Sequence, residues 1–322
     1  MKFWVGVEAT KGTAVDLETW IPRTDYSLNA TTSYIFNESA KWTIHRQSSS
    51  QNTMTMIEWS VQAVLSDIDI WYFLYSALWS VSSEISTEDG TDIAYKHTFD
   101  LQETNLPPTL TLGIDDPVEW NVSFARGTVG SLTISVENED WATYSVDLMA
   151  MPWEDATHPS ITQSNQNDFS ATTATVKFAD NLAWLDAAEK TCTESVELNI
   201  ERDLNAKLCN GQDYPESFVS NGFEINWSFT ASFESETFKD YNLNNENKAM
   251  ELEFVLENKT IWSSDNPTVK VRMPLVAFDE FSKEVDNDDY VRQTVNFTGL
   301  YSEVDESSMQ VEVINQKDSY TS

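Results

Sequence analysis

The chain has 322 residues, enough for two domains of ordinary size, and its 40% hydrophobic and 12% aromatic content excludes a disordered polypeptide. A net charge of -34, from 53 acidic against 19 basic side chains, excludes a nucleic-acid grip, which needs Lys and Arg to displace counterions. Nine glycines exclude collagen-like and Gly-rich linker designs, and no run has the length of a membrane helix.

Met1-Lys2-Phe3-Trp4-Val5-Gly6-Val7-Glu8 meets an acid too early for a secretory signal, so the expectation is a product folded in a cytoplasm. Residues 1 to 50 alternate apolar and polar positions in short runs such as Tyr34-Ile35-Phe36 and Lys41-Trp42-Thr43-Ile44. Thr53 to Leu65 predicts a strand with Ile57, Trp59, Val61 and Ala63 on one face. Ser66-Asp67 reads as a helix N-cap, followed by Ile68, Ile70, Trp71, Leu74, Tyr75 and Leu78 at helical spacing. Asp67 and Asp69 suit the positive end of that helix.

Ser82 to Thr91, with Asp89-Gly90 at its tip, predicts a polar loop or hairpin turn. Strands follow at Tyr95 to Leu101, Thr109 to Ile114, Glu119 to Phe124, Gly130 to Glu137 and Thr143 to Met151, the last two joined at Asn138-Glu139-Asp140. Ala156 to Ser170, poor in apolar residues, reads as a linker between a domain at 1–155 and a second at 171–322. Beyond it come strands at Ser195 to Ile200 and Phe223 to Phe233, separated by a polar connection with an Asn210-Gly211 turn. A short helix at Ser235 to Leu243 precedes strands at Met250 to Leu256, Thr268 to Leu275 and Tyr290 to Tyr301, with Met309 to Ile314 as an edge strand.

The halves echo one another. Glu224 to Phe233 replays Met56 to Leu65, with Trp59, Ser60 and Ala63 recurring as Trp227, Ser228 and Ala231. Pro108-Thr109-Leu110 against Pro267-Thr268-Val269, and Val146-Asp147-Leu148 against Val295-Asn296-Phe297, follow in the same order. The fold class read from this is mainly β: two tandem β-sandwich or barrel units, each with one flanking helix. Such a repeat suits a building block that assembles with copies of itself.

No catalytic, cofactor or metal site emerges. His45, His97 and His158 share no metal-ligand spacing, and His45 and His97 read as ordinary strand residues. The common nucleotide, zinc-protease and nucleophile-elbow motifs do not occur. Asp286-Asn287-Asp288-Asp289 lacks the glycine and closing glutamate of a calcium loop and reads as a charged turn. Cys192 and Cys209 form no CxxC pair; two reduced thiols are favoured over a disulfide. Trp59, Trp71 and Trp227 fall on apolar faces and read as core rather than a sugar platform. The acidic balance suits a salt-rich habitat.

Two segments carry a family likeness. Gly6-Val7-Glu8-Ala9-Thr10-Lys11-Gly12-Thr13-Ala14 is followed by Trp20-Ile21-Pro22. Val271-Arg272-Met273-Pro274-Leu275 is followed by Asp288-Asp289-Tyr290-Val291-Arg292-Gln293-Thr294-Val295-Asn296-Phe297. They resemble the opening and closing segments of tail tube proteins of long-tailed phages and archaeal tailed viruses. Pro108 to Leu112, leading to Gly127 to Ile134, is similar to that family too, while Ala156 to Glu194 matches least.

The resemblance implies a non-enzymatic virion protein, assembled in the host cytoplasm, whose rings stack into a tube with a negative bore that DNA passes without sticking. Two units per chain imply a homotrimeric, pseudo-sixfold ring; a homohexamer of single tube domains is the alternative. The implied partners are further copies, a tape-measure protein, a tail terminator and baseplate or tail-tip proteins, with no membrane. A carbohydrate- or surface-binding β-sandwich, an adhesin or tail-tip domain, is the competing function, and an acidic hydrolase a third.

Overall fold

The computed structural model describes residues 2–17, 19–39, 42, 44–89, 92–102, 104–116, 118, 121–158, 166–261, 265–285, 291–318 and 320. The first half runs β1 (Lys2–Val7), β2 (Thr19–Ile21), β3 (Asp25–Asn37), β4 (Ser49–Val64), α1 (Ile70–Leu78), β5 (Trp79–Asp89), β6 (Asp92–Leu101), β7 (Leu110–Asp115), β8 (Asn121–Glu137), β9 (Thr143–Ala150) and β10 (Glu154–Asp155). The second runs β11 (Ala174–Ala179), β12 (Lys190–Thr191), β13 (Ser195–Lys207), β14 (Ser217–Ser232), α2 (Thr237–Asn244), β15 (Lys248–Val255), β16 (Thr268–Glu284), β17 (Arg292–Gly299) and β18 (Gln310–Asn315). The fold is mainly β, one large antiparallel sheet flanked, among the described residues, by two α-helices. No helix among the described residues is long and apolar enough to cross a membrane.

Pairing divides the sheet into rows. The long row is β3·β4·β9·β8·β13·β14·β17·β16. Two shorter rows are β2·β1·β7·β8·β10 and β12·β11·β15·β16·β18·β6·β5. β8 and β16, each 17 residues, belong to both kinds of row: their first parts pair in a short row and their last parts in the long one. The two strands expected at 119–124 and 130–137 are therefore, from Asn121 on, one bent strand, while Glu119 and Trp120 lie outside the described residues. Its bend coincides with Arg126 at φ 60 and with a bulge at Gly130, a local twist invisible to a period-two reading. Gly127 fits there because a Cβ would lie 2.9 Å from the Leu110 carbonyl oxygen.

Two of the three sequence echoes occupy matching registers. The third does not, because Leu110 opens β7, whose counterpart is β15, while Val269 lies in β16, the counterpart of β8. Leu28 faces Trp59, which faces Leu148; Leu198 faces Trp227, which faces Phe297. Ser60 faces Asp147 as Ser228 faces Asn296. The bulge at Gly130 between β8 and β9 recurs at Asp279 between β16 and β17, and that at Thr111 between β7 and β8 recurs at Ala249 between β15 and β16. A one-residue slip would swap the faces of every strand, so matching bulges and registers mean matching inward positions.

Several expectations are corrected. β13 and β14 run into both ends of the polar connection predicted at Leu204 to Ser220, leaving 208–216 between them with Gly211 at φ 93. Met309 to Ile314 is not an edge: β18 lies between β16 and β6, so the β5–β6 hairpin of the first half lengthens a sheet row of the second. That pairing joins residues some 200 positions apart, which local patterning cannot reveal. His45 lies outside any strand. Gly90 and Thr91, Lys41 and Thr43, and 159–165 of the expected linker lie outside the described residues. The end of that stretch is packed: Phe169 is fully buried and exchanges backbone hydrogen bonds with Leu65 and Ala142.

Ser66 caps the turn before α1 by accepting from the Asp69 amide at 3.1 Å, but the helix itself begins at Ile70. Almost all of α1 is buried, and Trp71 stacks on Tyr320 at 4.2 Å between ring centroids. In α2 no residue is fully buried; Phe238 and Tyr241 reach in to touch Phe278. Trp59, Trp71 and Trp227 lie in the core, as their apolar faces predict.

Candidate functional site: one polar sheet face and two open edges

Alternation along the long row sends Trp59, Val61, Val146, Leu198, Trp227 and Phe297 into the core. The other face is mostly polar, because facing residues share a side, with Met149 opposite Glu58 and Met56 opposite Thr31 as apolar exceptions. Ser27, Ser60, Asp147, Ser131, Glu201 and Glu224 form one cross-strand line. Thr143, Ser135, Glu197, Ser228, Asn296 and Glu280 form another. Hydroxyl and carboxylate pairs tie these lines together; Ser131 Oγ donates to Asp147 at 2.8 Å, and Asn296 Nδ2 donates to Glu280 at 3.1 Å. Arg292, at one end of this face, is paired with Glu194 at 3.0 Å. Acidic side chains recur along the face, and among the described residues no row of cations crosses it.

A shallow depression lies at each of the paired bulges at Gly130 and Asp279. One, of about 330 Å³, is lined by Asn29, Trp59, Gly130, Asp147, Leu148 and neighbours. The other, of about 280 Å³, is lined by their register counterparts Asn199, Trp227, Asp279, Asn296 and Phe297.

The halves meet along a seam where β8 pairs with β13 from Ser131↔Glu201 to Glu137↔Ser195. The Asn138 amide donates to the Glu194 carbonyl at 2.8 Å beyond the last pair. On the core side Leu132, Ile134 and Val136 meet Ile200, Leu198 and Val196, all buried. On the polar side Thr133 Oγ1 donates to Asn199 at 3.2 Å. Arg202 fastens the seam from β13: its Nε and Nη2 donate to the Ala77 carbonyl at the end of α1 at 2.8 and 2.6 Å, and it stacks 3.9 Å over Trp79. Burial lowers the Arg202 guanidinium to about 10.

The row ends in two edges. Among the described residues, β3 pairs only with β4, and the last part of β16, from Ala277 to Glu284, pairs only with β17. Tyr26, Leu28 and Phe281 there are half-buried, and Val285 just beyond β16 is 70% exposed.

The N-terminal phrase has a structural role. The Glu8 carboxylate accepts from the amides of Gly12 and Arg126 at 2.5 and 2.7 Å and from the hydroxyls of Thr109 and Thr111 at 2.5 and 3.1 Å. Burial nonetheless raises its pKa. Gly12 sits at φ 78 beneath the Arg126 guanidinium, where a Cβ would collide with Arg126 Nη2.

His97 is fully buried, with Ser83 at 2.7 Å on Nδ1 and the Lys317 carbonyl at 2.9 Å on Nε2; burial lowers its pKa. His158 Nε2 lies 3.1 Å from the Val122 carbonyl. Cys192 and Cys209 are both free, and Cys209 donates to Glu216. Asp286, Asn287, Asp288 and Asp289 lie outside the described residues. Among the described residues no group of three His, Cys, Asp or Glu gathers to hold a metal.

Sequence reasoning missed one buried acidic pair. Burial raises Asp67 to about 6, against hydrogen bonds from Asn167, and raises Asp69 to about 7, against the Ser66 hydroxyl and with the Asp168 and Asp67 carboxylates adding to the rise. Placement at the start of the helix accounts for two acids there but not for their burial; the packing of 166–169 over them is a tertiary effect without a local signal.

A family described as "Phage tail tube protein" has a sequence model that matches residues 45–299. No curated protein matches the chain.

Proposed function

The chain belongs to the phage tail tube protein family, and from that premise we propose that its two halves are tandem tube units of a ring-forming subunit. Three chains supply six units to a pseudo-sixfold ring. Rings stack into a tube whose wall turns the acidic face of the long row toward a bore for the genome. Residues 1–155 and 171–322 are the units and 156–170 their connection. The protein performs no catalysis.

The observation that carries this reading is the seam. The row β3·β4·β9·β8 continues, through β8·β13, into the same row again, and ends at two unpaired edges. Unpaired edges in a soluble monomer invite indiscriminate pairing, and closing the row on itself removes them. An acidic wall free of cation rows lets a polyanion slide. Copies, a tape-measure protein threaded through the bore, a terminator and baseplate or tip proteins are the partners this role requires. The place of action is the virion tail, after assembly in host cytoplasm.

Averaged electron micrographs of the purified protein in high salt test the reading. Rings or tubes with threefold symmetry are expected. A true sixfold axis replaces the trimer with a hexamer, and a monodisperse monomer at every salt concentration overturns the tube role.

A further inference from the structure

The seam inside the chain supplies a template for the contact between chains. Counterparts follow from the registers: Leu132, Thr133, Ile134 and Val136 of β8 correspond to Phe281, Ser282, Lys283 and Val285 at the open end of β16. Val196, Leu198, Asn199 and Ile200 of β13 correspond to Tyr26, Leu28, Asn29 and Ala30 of β3. The geometry points to an antiparallel joint between β16 of one copy and β3 of a second copy, in the register Glu280↔Thr31, Ser282↔Asn29 and Glu284↔Ser27. This inference rests on the ring assembly proposed above and specifies which edges meet and how.

Three features favour this register. On the core side it sets the large Phe281 against the small Ala30, Lys283 against Leu28, and Val285 against Tyr26, where the seam sets Leu132 against Ile200, Ile134 against Leu198 and Val136 against Val196. The half-buried Tyr26, Leu28 and Phe281 would gain the cover their seam counterparts have. On the polar side Ser282 meets Asn29 as Thr133 meets Asn199, a hydrogen-bonded side-chain pair in the seam. No like charges face each other, whereas a two-residue slip in one direction sets Glu284 against Asp25. A one-residue slip turns Phe281 to the polar face.

The Asn138 to Glu194 hydrogen bond fixes which seam pairs exchange backbone bonds: the core-side pairs do, and the polar-side pairs do not. Ser282 and Asn29 would then form a close, non-hydrogen-bonded pair, the geometry in which a disulfide closes.

The test uses the full chain with Cys192→Ser and Cys209→Ser, carrying Ser282→Cys and Asn29→Cys. After assembly and oxidation, most chains should run as covalent dimers and trimers on a non-reducing gel. Ser282→Cys paired with Ser27→Cys or Thr31→Cys, displaced by two residues, should stay largely monomeric. Tubes that form normally while a displaced pair cross-links at least as well overturn the register and leave the tube role standing. If the unmodified chain never assembles, the tube role fails and this joint with it. Should the cysteines themselves block assembly, amide exchange on the unmodified chain decides. Amides of Leu28, Ala30, Phe281 and Lys283 should gain protection on assembly; unchanged exchange there in formed tubes overturns the joint.

Discussion

Trp4 and Gly113 of the first half occupy the same register as Lys177 and Glu251 of the second, and the chemistry at the two places is opposite. In the first half Trp4 is fully buried beside His158, and the Leu17 side chain occupies the space a Cβ on Gly113 would need. In the second, Glu251 is just as buried but charged, held by Lys177 Nζ at 2.8 Å and Arg272 Nε at 2.7 Å. Burial alone would raise its pKa, yet the two cations hold it below the ordinary glutamate value. The helices diverge in the same way: α1 is a buried apolar core element, α2 an exposed one held by Phe238 and Tyr241. One wiring thus tolerates either a dry or an ionic filling, because strand pairing and bulge positions set the geometry and the side chains need only be satisfied within it.

The largest test of that contrast removes the charge from the ionic half. Glu251→Gln leaves Lys177 and Arg272 facing a neutral amide, and a loss of about 3–5 kcal/mol is expected in urea unfolding. Gly113→Ala in the first half strains only packing against Leu17 and His158, so a loss as large there would refute the distinction.

Next comes the buried acid of the first half. With Asp67 raised to about 6 and Asp69 to about 7, from an ordinary 3.8, the folded chain binds more protons than the unfolded chain between about pH 4 and 7. Their contribution to stability therefore falls as pH rises through that window and is lowest above pH 7. Asp69→Asn should add about 2–4 kcal/mol at pH 8 and little at pH 5. Melting curves at the two pH values check this, and an equal gain at both would show that ionisation is not the cause.

The seam is tested by Arg202→Met, which removes both hydrogen bonds to the Ala77 carbonyl and should cost about 1–3 kcal/mol. Its counterpart in β3 is Thr32, so no such clasp exists at the open edge, and the variant should leave contacts between chains intact.

The smallest effect concerns the edge. Lys283 stands where the seam has Ile134, its Nζ 3.7 Å over the Phe233 ring. Lys283→Ile should lower the concentration needed for assembly about tenfold, read by light scattering, since one more apolar side chain is covered in each joint.

The strand-rich class, the core tryptophans, the turn at Asn138-Glu139-Asp140 and the echoes around Trp59/Trp227 and Asp147/Asn296 were legible in the sequence because each leaves a local mark. By contrast, the likeness of Pro108-Thr109-Leu110 to Pro267-Thr268-Val269 joins strands that do not correspond. Trp59 and Trp227 announce themselves by sitting in alternating runs. The polar face was legible as alternation, but its continuity was not, since nothing near Ser131 or Glu201 says that they face each other. The bend of β8, the insertion of β18 between β16 and β6, and the burial of Asp69 all depend on partners distant in sequence. Glu8 was noticed as part of a phrase, while its four hydrogen-bond donors came from three separate segments.

The β5–β6 hairpin has a consequence for biogenesis. Its partner β18 is translated some 200 residues later, so on a ribosome adding 5–20 residues per second the flank of β6 waits on the order of ten seconds or longer. A nascent chain in that interval has an additional naked strand and no finished perimeter. Arrival of Gln310–Asn315 covers that flank of β6.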